Sequence, residues 1–394
     1  MSSDRPRRIA FYDAYASCDG SGLMLQAITR RLDRERFEPL VVLAREGPLL
    51  DALRDDGCAV EVVPPDAPLD GYGKGLLKAG LLTKLRAARA LHRYSKRLAA
   101  WLREREVDLL HCNQTRAVLE AGPAGRRAGV PVVWNVRIRE RLPWYLVRLG
   151  SYCARRLIPL TEDSLDDLPG AARLRSKATV IPNGVDVERF CPEVDGSGVR
   201  AELGLSGDEP LVVMVGLLAR RKGHEVLVRA APGILGAFPT TRIVIAGGMP
   251  EGSDKGYEAE LRQLRADLGV EDAVHLAGRR EDIPQLLAAC EVFVLPSRRE
   301  GFAGAVLEAM ATARPVVVTP PAAAGVEDGV TGWVVPVDDE GALAAAVVRL
   351  LGDPERARQM GAEGRRQVVA HYSVDAMVRG YEKVYRELLA GSER

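Results

Sequence analysis

This sequence has no long apolar run, no paired cysteines and no metal-binding spacing. No apolar run approaches the ~20 residues that a membrane-spanning helix needs. The N-terminus is basic through Arg5, Arg7 and Arg8, but Asp13 and Asp19 interrupt the apolar segment after it, so a secretory signal is not expected. The six cysteines, Cys18, Cys58, Cys112, Cys153, Cys191 and Cys290, are scattered without a C-x-x-C pair. In a chain of 394 residues that pattern reads as reduced thiols in the cytoplasm, not as a disulfide framework or a zinc site. The five histidines, His92, His111, His224, His275 and His371, show no ligand spacing. They read as surface or satisfied core positions, with His111 at a strand end the one to follow. No D-x-D follows a strand, so neither a metal nor another cofactor is expected. G-x-S-x-G and P-loop motifs are missing as well.

Hydrophobic residues make up 47% of the chain and charged residues 28%, which fits a folded globular protein. The length suits two domains. A net charge of +1 conceals an asymmetry. Residues 1–180 carry 31 basic and 22 acidic side chains, a balance of +9; residues 181–394 carry 24 and 32, a balance of −8. The first half is therefore expected to meet something anionic. Nucleic acid is not an expected partner.

Short apolar runs alternate with helical patterns of 10–15 residues, the signature of parallel sheets covered on both faces. In the first half the strand candidates are 9–12, 40–43, 60–63, 107–111 and 130–137. In the second half they are 211–216, 242–246, 274–276, 292–295 and 315–318. A strand at 180–181 ends in the turn Pro182-Asn183-Gly184, which marks the crossing between domains. The expected organisation is thus an α/β protein of two Rossmann-like parallel-sheet domains facing across a cleft. The first covers 1–180, with a final helix at about 373–394 returning to it, and the second covers 181–372.

Residues 71–106 form a long helical region with ten basic side chains, among them Lys74, Lys78, Lys84, Arg86 and Arg89, opposed only by Glu104 and Glu106. It is either a solvated helix with one apolar face or a surface for an anionic lipid or acceptor. Ligands of open α/β sheets sit beyond the C-terminal strand ends, so Asn135 and Arg137 are candidate cleft residues. Trp144 and Tyr145 follow among arginines, a segment suited to an acceptor or a membrane. The loop Gly20-Ser21-Gly22 lacks the third glycine of G-x-G-x-x-G, since Leu25 stands there. It either lets backbone approach a ligand or is a structural turn. Gly216 is followed by Arg220-Arg221-Lys222, either a diphosphate site or a solvated turn. Around 300–311 a strand, a glycine-bearing loop and a helix succeed one another. Glu300 and Glu308 flank a helix start that suits an anion. A nucleotide-sugar matches that layout, with hydroxyls on either side of a diphosphate.

These motifs together resemble the retaining GT-B glycosyltransferases of family 4, also called glycosyl transferases group 1. Glu300 and Glu308 match its E-x7-E motif within Glu300-Gly301-Phe302-Ala303-Gly304 and Leu307-Glu308-Ala309-Met310-Ala311. Pro315 to Thr319, Asp328 to Gly332, Ile181 to Asp186 and Lys222-Gly223 match further family segments. The resemblance implies a UDP- or GDP-linked sugar donor, held mainly on the second domain, and retention without a metal or covalent nucleophile. It implies that Glu300 holds the donor sugar and that Glu308 holds the ribose. Phe302, Ala303 and Gly304 would approach sugar and diphosphate through their backbone. Lys222, with Gly216, Arg220 and Arg221 nearby, would bind the diphosphate, and Gly22 would face the phosphates. Three positions depart from the family pattern. Leu217 replaces an arginine, Asn135 stands where many relatives carry histidine, and Ala303 replaces a glycine.

Glu300, Lys222 and Asn135 are the expected catalytic residues, with His111, Arg137 and Trp144 on the acceptor side. The acceptor classes are a glycan, a lipid-linked sugar or a small molecule, in surface-polysaccharide, glycolipid or secondary-metabolite synthesis. Peripheral association with an anionic inner membrane face fits the basic half. A nucleotide-sugar 2-epimerase and a non-catalytic nucleotide-sugar-binding subunit are the alternatives.

Overall fold

The computed structural model describes residues 5–18, 20–66, 80–137, 142–205, 207, 209–249 and 256–391. The start of the basic helical region, with Lys74 and Lys78, lies outside them, as do residues 138–141 next to Arg137 and the last three residues of the returning helix. The chain divides into two compact units, Met1–Pro182 with Met377–Arg394, and Asn183–Ala376.

Each unit is built on one six-stranded parallel sheet. The first comprises β1 (Arg7–Asp13), β2 (Phe37–Leu43), β3 (Ala59–Val62), β4 (Leu109–Cys112), β5 (Val132–Val136) and β6 (Arg156–Pro159). Their spatial order is β3-β2-β1-β4-β5-β6. The second comprises β7 (Leu211–Val215), β8 (Arg242–Ala246), β9 (Val274–Gly278), β10 (Val292–Leu295), β11 (Val316–Val318) and β12 (Gly332–Val334), ordered β12-β11-β10-β7-β8-β9. Counted from its own first strand, each sheet has the same order, that of the dinucleotide-binding α/β fold. The α/β fold class expected from the alternating pattern is the one observed.

Local differences have physical causes. β6 begins with Arg156 and ends at Pro159, and β12 is three residues opened by a glycine, so neither carries an apolar run. No strand forms at 180–181. Ala178 makes a single bridge to Leu157, and Val185 one to Ser373. Gly184 marks a close approach: a Cβ there would lie 2.5 Å from the Val374 Cα. Gly20-Ser21-Gly22 is the first turn of the helix Gly20–Arg31, not a loop.

In the first unit the pleat separates two layers. Ala10, Tyr12, Leu110, Cys112, Val132 and Trp134 share a core with the helices Leu81–Glu104, Thr115–Ala128 and Trp144–Cys153. On the first of these helices Ala87, Ala90, Tyr94, Leu98 and Leu102 are buried, spaced three or four apart as one helical face requires. The alternate residues Phe11, His111 and Asn135 face the helix Val374–Ala390 through Tyr381 and Tyr385.

That second layer contains a buried polar seam. His111 Nδ1 lies 2.6 Å from the Tyr385 hydroxyl. With the Asn135 amide oriented to satisfy its neighbours, its oxygen accepts from Arg137 Nη2 at 3.0 Å and from His111 Nε2 at 3.2 Å, and its nitrogen donates to the Ile158 carbonyl at 3.1 Å. Burial, aided by the Arg137 charge, pushes the His111 pKa down to about 3, so the ring is neutral at physiological pH. The neutral tautomer that fits carries its proton on Nε2 and accepts from Tyr385 at Nδ1.

Tyr385→Phe would leave that buried acceptor unpaired, at a cost of about 1–3 kcal/mol. Thermal unfolding should register a Tm several degrees lower. An unchanged Tm would mean that the seam adds nothing to stability.

Candidate functional site

The strand order of the second sheet reverses between β7 and β10, and ligands of open α/β sheets bind beyond the strand ends at that point. β7 runs into Gly216, then into the 3-10 turn Arg220–Lys222 and the helix His224–Ala237. Gly223 joins turn to helix with φ of +73°, and a Cβ there would lie 2.2 Å from the Pro296 carbonyl oxygen. Only glycine satisfies both demands, so the K-G pair fastens the turn against the end of β10. A Cβ at Gly216 would meet the aliphatic stem of Lys222 at 3.6 Å, ordinary van der Waals contact.

The loop after β10 brings Glu300 to this turn. Lys222 Nζ donates to Glu300 Oε1 at 2.6 Å, and Ser297 Oγ donates to the same oxygen at 2.6 Å. Arg221 Nη1 reaches Oε2 at 3.3 Å. The Lys222 side chain is 12% exposed and that of Glu300 5%, so the pair is screened far less than a surface ion pair. Arg220 points elsewhere: it pairs with Glu260 at 2.6 Å and lies 4.9 Å over the Tyr257 ring. Arg221, not Arg220, therefore joins the Lys222–Glu300 pair. Leu217 is half exposed.

Ala303 is the N-cap of the helix Gly304–Ala311, whose start has no side-chain cap. The Gly304 amide donates to the Phe302 carbonyl at 3.1 Å, and a Cβ at Gly304 would meet nothing within 4 Å. No neighbouring protein atom demands that glycine. Glu308, about a turn into the helix, is partly buried, and its carboxylate accepts no hydrogen bond among the described residues. Burial pushes its pKa up to about 7, with only the Arg189 charge opposing. A carboxylate so placed gains from any hydroxyl donor that reaches it.

The candidates of the first unit separate into four groups. His111 and Asn135 have no exposed surface and belong to the seam under the last helix, so neither offers an atom to a substrate in this arrangement. Arg137 is buried, and its Nε and Nη2 donate to the Asn113 amide oxygen at 3.0 and 2.8 Å. Trp144 alone stands out in solvent, edge-on to Tyr145 at 6.0 Å. Gly22 is demanded by its own chain: a Cβ there would lie 1.9 Å from the Ser17 carbonyl oxygen.

Sequence reading missed a cluster at the switch point of the first sheet. Asp13, ending β1, accepts from the Tyr15 and Ala16 amides at 2.9 and 2.8 Å, from Asn113 Nδ2 at 2.7 Å and from Gln114. Asn113 and Gln114 also reach Ser21, at 3.1 and 3.2 Å. Ser297 was missed too. In each case the available signal was a polar residue just beyond a strand's C-terminal end.

Two family models match the chain. "Glycosyltransferase Family 4" covers residues 19–189 and "Glycosyl transferases group 1" covers 209–353. The GDP-mannose-dependent alpha-(1-6)-phosphatidylinositol monomannoside mannosyltransferase of Mycolicibacterium smegmatis is 31% identical over 303 residues, 71% of this chain and 75% of that protein. The chain belongs to glycosyltransferase family 4. A D-inositol 3-phosphate glycosyltransferase from Acidothermus cellulolyticus is 38% identical over 57% of this chain and 51% of that protein. Among solved structures, a glycosyltransferase from Rickettsia africae superposes with a TM-score of 0.83 at 16% identity, covering 98% of this chain and 99% of that one. Anabaena HepE in complex with UDP and glucose gives 0.77 at 23% identity, covering 97% and 100%. These likenesses agree with the GT-B fold.

In this family 4 glycosyltransferase the Glu308 pKa has a stability consequence. The unfolded chain releases that proton in the usual glutamate range, while the folded protein keeps it up to about 7. Stability associated with Glu308 is therefore present at low pH and declines as pH rises toward about 7. Glu308→Gln removes the penalty. Its Tm should exceed that of the wild type increasingly from pH 5 to about 7 and by a constant margin above; a margin that does not change with pH would contradict the raised pKa.

Proposed function

We propose that this chain is a retaining glycosyltransferase that moves a sugar from a UDP- or GDP-linked donor to an acceptor hydroxyl. The observation that carries the reading is the largely buried Lys222–Glu300 pair at the switch point of the second sheet. Lys222 and Arg221 supply positive charge where a diphosphate leaves, and the uncapped start of the helix Gly304–Ala311 adds the dipole. Glu300 has lone pairs beyond those its partners use, which can accept sugar hydroxyls. Glu308 takes the ribose hydroxyls. The donor choice draws on a relative named for GDP-mannose and on neighbours solved with UDP.

In the step itself the acceptor oxygen bonds to the anomeric carbon as the bond to the diphosphate breaks. Attack comes from the face the diphosphate leaves, and the acceptor proton passes to the departing phosphate oxygen. No covalent enzyme nucleophile takes part. The test is transfer by purified protein, with product stereochemistry read by NMR. Glu300→Ala and Lys222→Ala should each lower kcat at least about a hundredfold while the protein stays folded, with a lower Tm because each leaves a largely buried charge without its partner. Transfer at wild-type rate by either variant, or an inverted product, would remove this reading.

For the acceptor we favour a glycolipid at an anionic membrane surface. Leu82 is 74% exposed near the start of the helix Leu81–Glu104, with Leu85 half exposed beside it. Lys84, Arg86, Arg89 and Lys96 on that helix pair with no carboxylate among the described residues. Crossover helices run opposite to their strands, so this helix and the helix Trp144–Cys153 start at the same sheet edge, where Trp144 and Tyr145 stand exposed. Apolar and aromatic side chains among cations suit a headgroup region. Relatives named for phosphatidylinositol monomannoside and diphosphoundecaprenol acceptors point the same way. The protein should float with liposomes containing phosphatidylglycerol and be released by high salt, and Leu82→Asp/Leu85→Asp should stay at the bottom of the gradient. Equal flotation of that variant would discard this surface.

A further inference from the structure

Arg298 lies two residues before Glu300, and three other pieces of the second unit meet on it. Its backbone N–H donates to the Arg221 carbonyl at 2.8 Å, and its Nη1 donates to the Arg220 carbonyl at 2.7 Å. The guanidinium is held in turn by Glu225 Oε1 at 2.5 Å and Asp338 Oδ1 at 2.6 Å. Glu225 lies in the first turn of the helix His224–Ala237, and its other oxygen accepts from the Tyr257 hydroxyl. Burial alone would raise the Glu225 pKa, but the hydrogen bonds from Tyr257 and Arg298 outweigh it and hold the carboxyl below its ordinary value. Asp338 sits at φ of +59°, a left-handed conformation that few residue types adopt. That turn directs its carboxylate at Arg298.

We propose that Arg298 is a positioning residue that presets the Arg221–Lys222 cations for a nucleoside diphosphate. The inference rests on the donor-site reading above. The carbonyl of residue 221 belongs to the peptide that leads into Lys222, so fixing its direction fixes where the Lys222 stem leaves the backbone. The backbone N–H of residue 298 holds that carbonyl, and the guanidinium adds a second hold on the Arg220 carbonyl one peptide earlier, so both peptides leading into Lys222 keep their direction. Its own charge is balanced by Glu225 and Asp338, so it adds little repulsion to the neighbouring cations. Lys222 therefore meets the ligand already oriented, and less ordering is left to be done on binding.

Calorimetric binding of UDP and of GDP to the full chain tests this, with uridine and guanosine as phosphate-free controls. Arg298→Gln should weaken the diphosphate about tenfold, a loss of about 1.4 kcal/mol, and leave the nucleoside unchanged. Asp338→Asn keeps a residue that tolerates φ above zero but removes the negative charge that holds Arg298, and should weaken the diphosphate about threefold. It carries the test if Arg298→Gln does not fold. In a Lys222→Ala background Arg298→Gln should cost less than about twofold, because the residue it positions is gone. A full tenfold loss in that background, or equal losses for nucleoside and diphosphate, would overturn the positioning role. Unchanged diphosphate binding by Arg298→Gln beside weakened binding by Lys222→Ala would do the same and leave the donor site standing. Wild-type binding by Lys222→Ala would remove the donor site itself, and this inference with it.

Discussion

The second unit depends on one constraint at its sheet edge, the contact of Lys222 with Glu300. Two largely buried side chains of opposite charge must meet, although one follows β7 and the other follows β10. Isolated in a poorly hydrated setting, either charge would be costly; held at hydrogen-bond distance, each offsets the other's desolvation. The glycines follow from that demand. Gly223 must let the turn approach the Pro296 carbonyl, and Gly247 must admit the Gly216 carbonyl, which would lie 1.8 Å from any Cβ there. The backbone is shaped so that one ammonium can reach one carboxylate.

The first unit repeats the strand order with different contents. At its switch point the charge is a carboxylate, Asp13, surrounded by amide donors from Asn113 and Gln114 and by two backbone N–H groups. One topology therefore presents a cationic edge in the second unit and an amide-lined, satisfied edge in the first. Overall charge runs opposite to this local arrangement, since the first half of the sequence is the basic one. Lys84, Arg86, Arg89 and Lys96, on the helical region that the sequence marked as basic, are among its cations without a carboxylate partner among the described residues.

Much of this was legible from the residues. Runs such as Val292-Phe293-Val294-Leu295 announce buried strands, because parallel strands covered on both faces need apolar side chains on both. β6 and β12 escaped because edge strands bury less and tolerate Arg, Gly and Pro. That Glu300 and the strand-end cations would serve one site followed from their motifs and the rule about strand ends; their direct ion pair did not. Which cation would turn inward did not, because Glu260 and Tyr257, which draw Arg220 away, lie on another helix. Asn135 misled for a related reason. β5 alternates between layers, and nothing local says that the helix covering its polar side is the last in the chain.

The seam of His111, Asn135 and Arg137 is closed by Tyr381 and Tyr385, which leave the ribosome only after the whole of residues 183–376. Domains generally fold as units in the order of synthesis. Here the first sheet must wait with one face uncovered and its polar groups in water while the second unit is synthesised and folds. The unit that begins the chain is therefore the last to be completed. A chain truncated after residue 376 would hold a complete second sheet and an open first one.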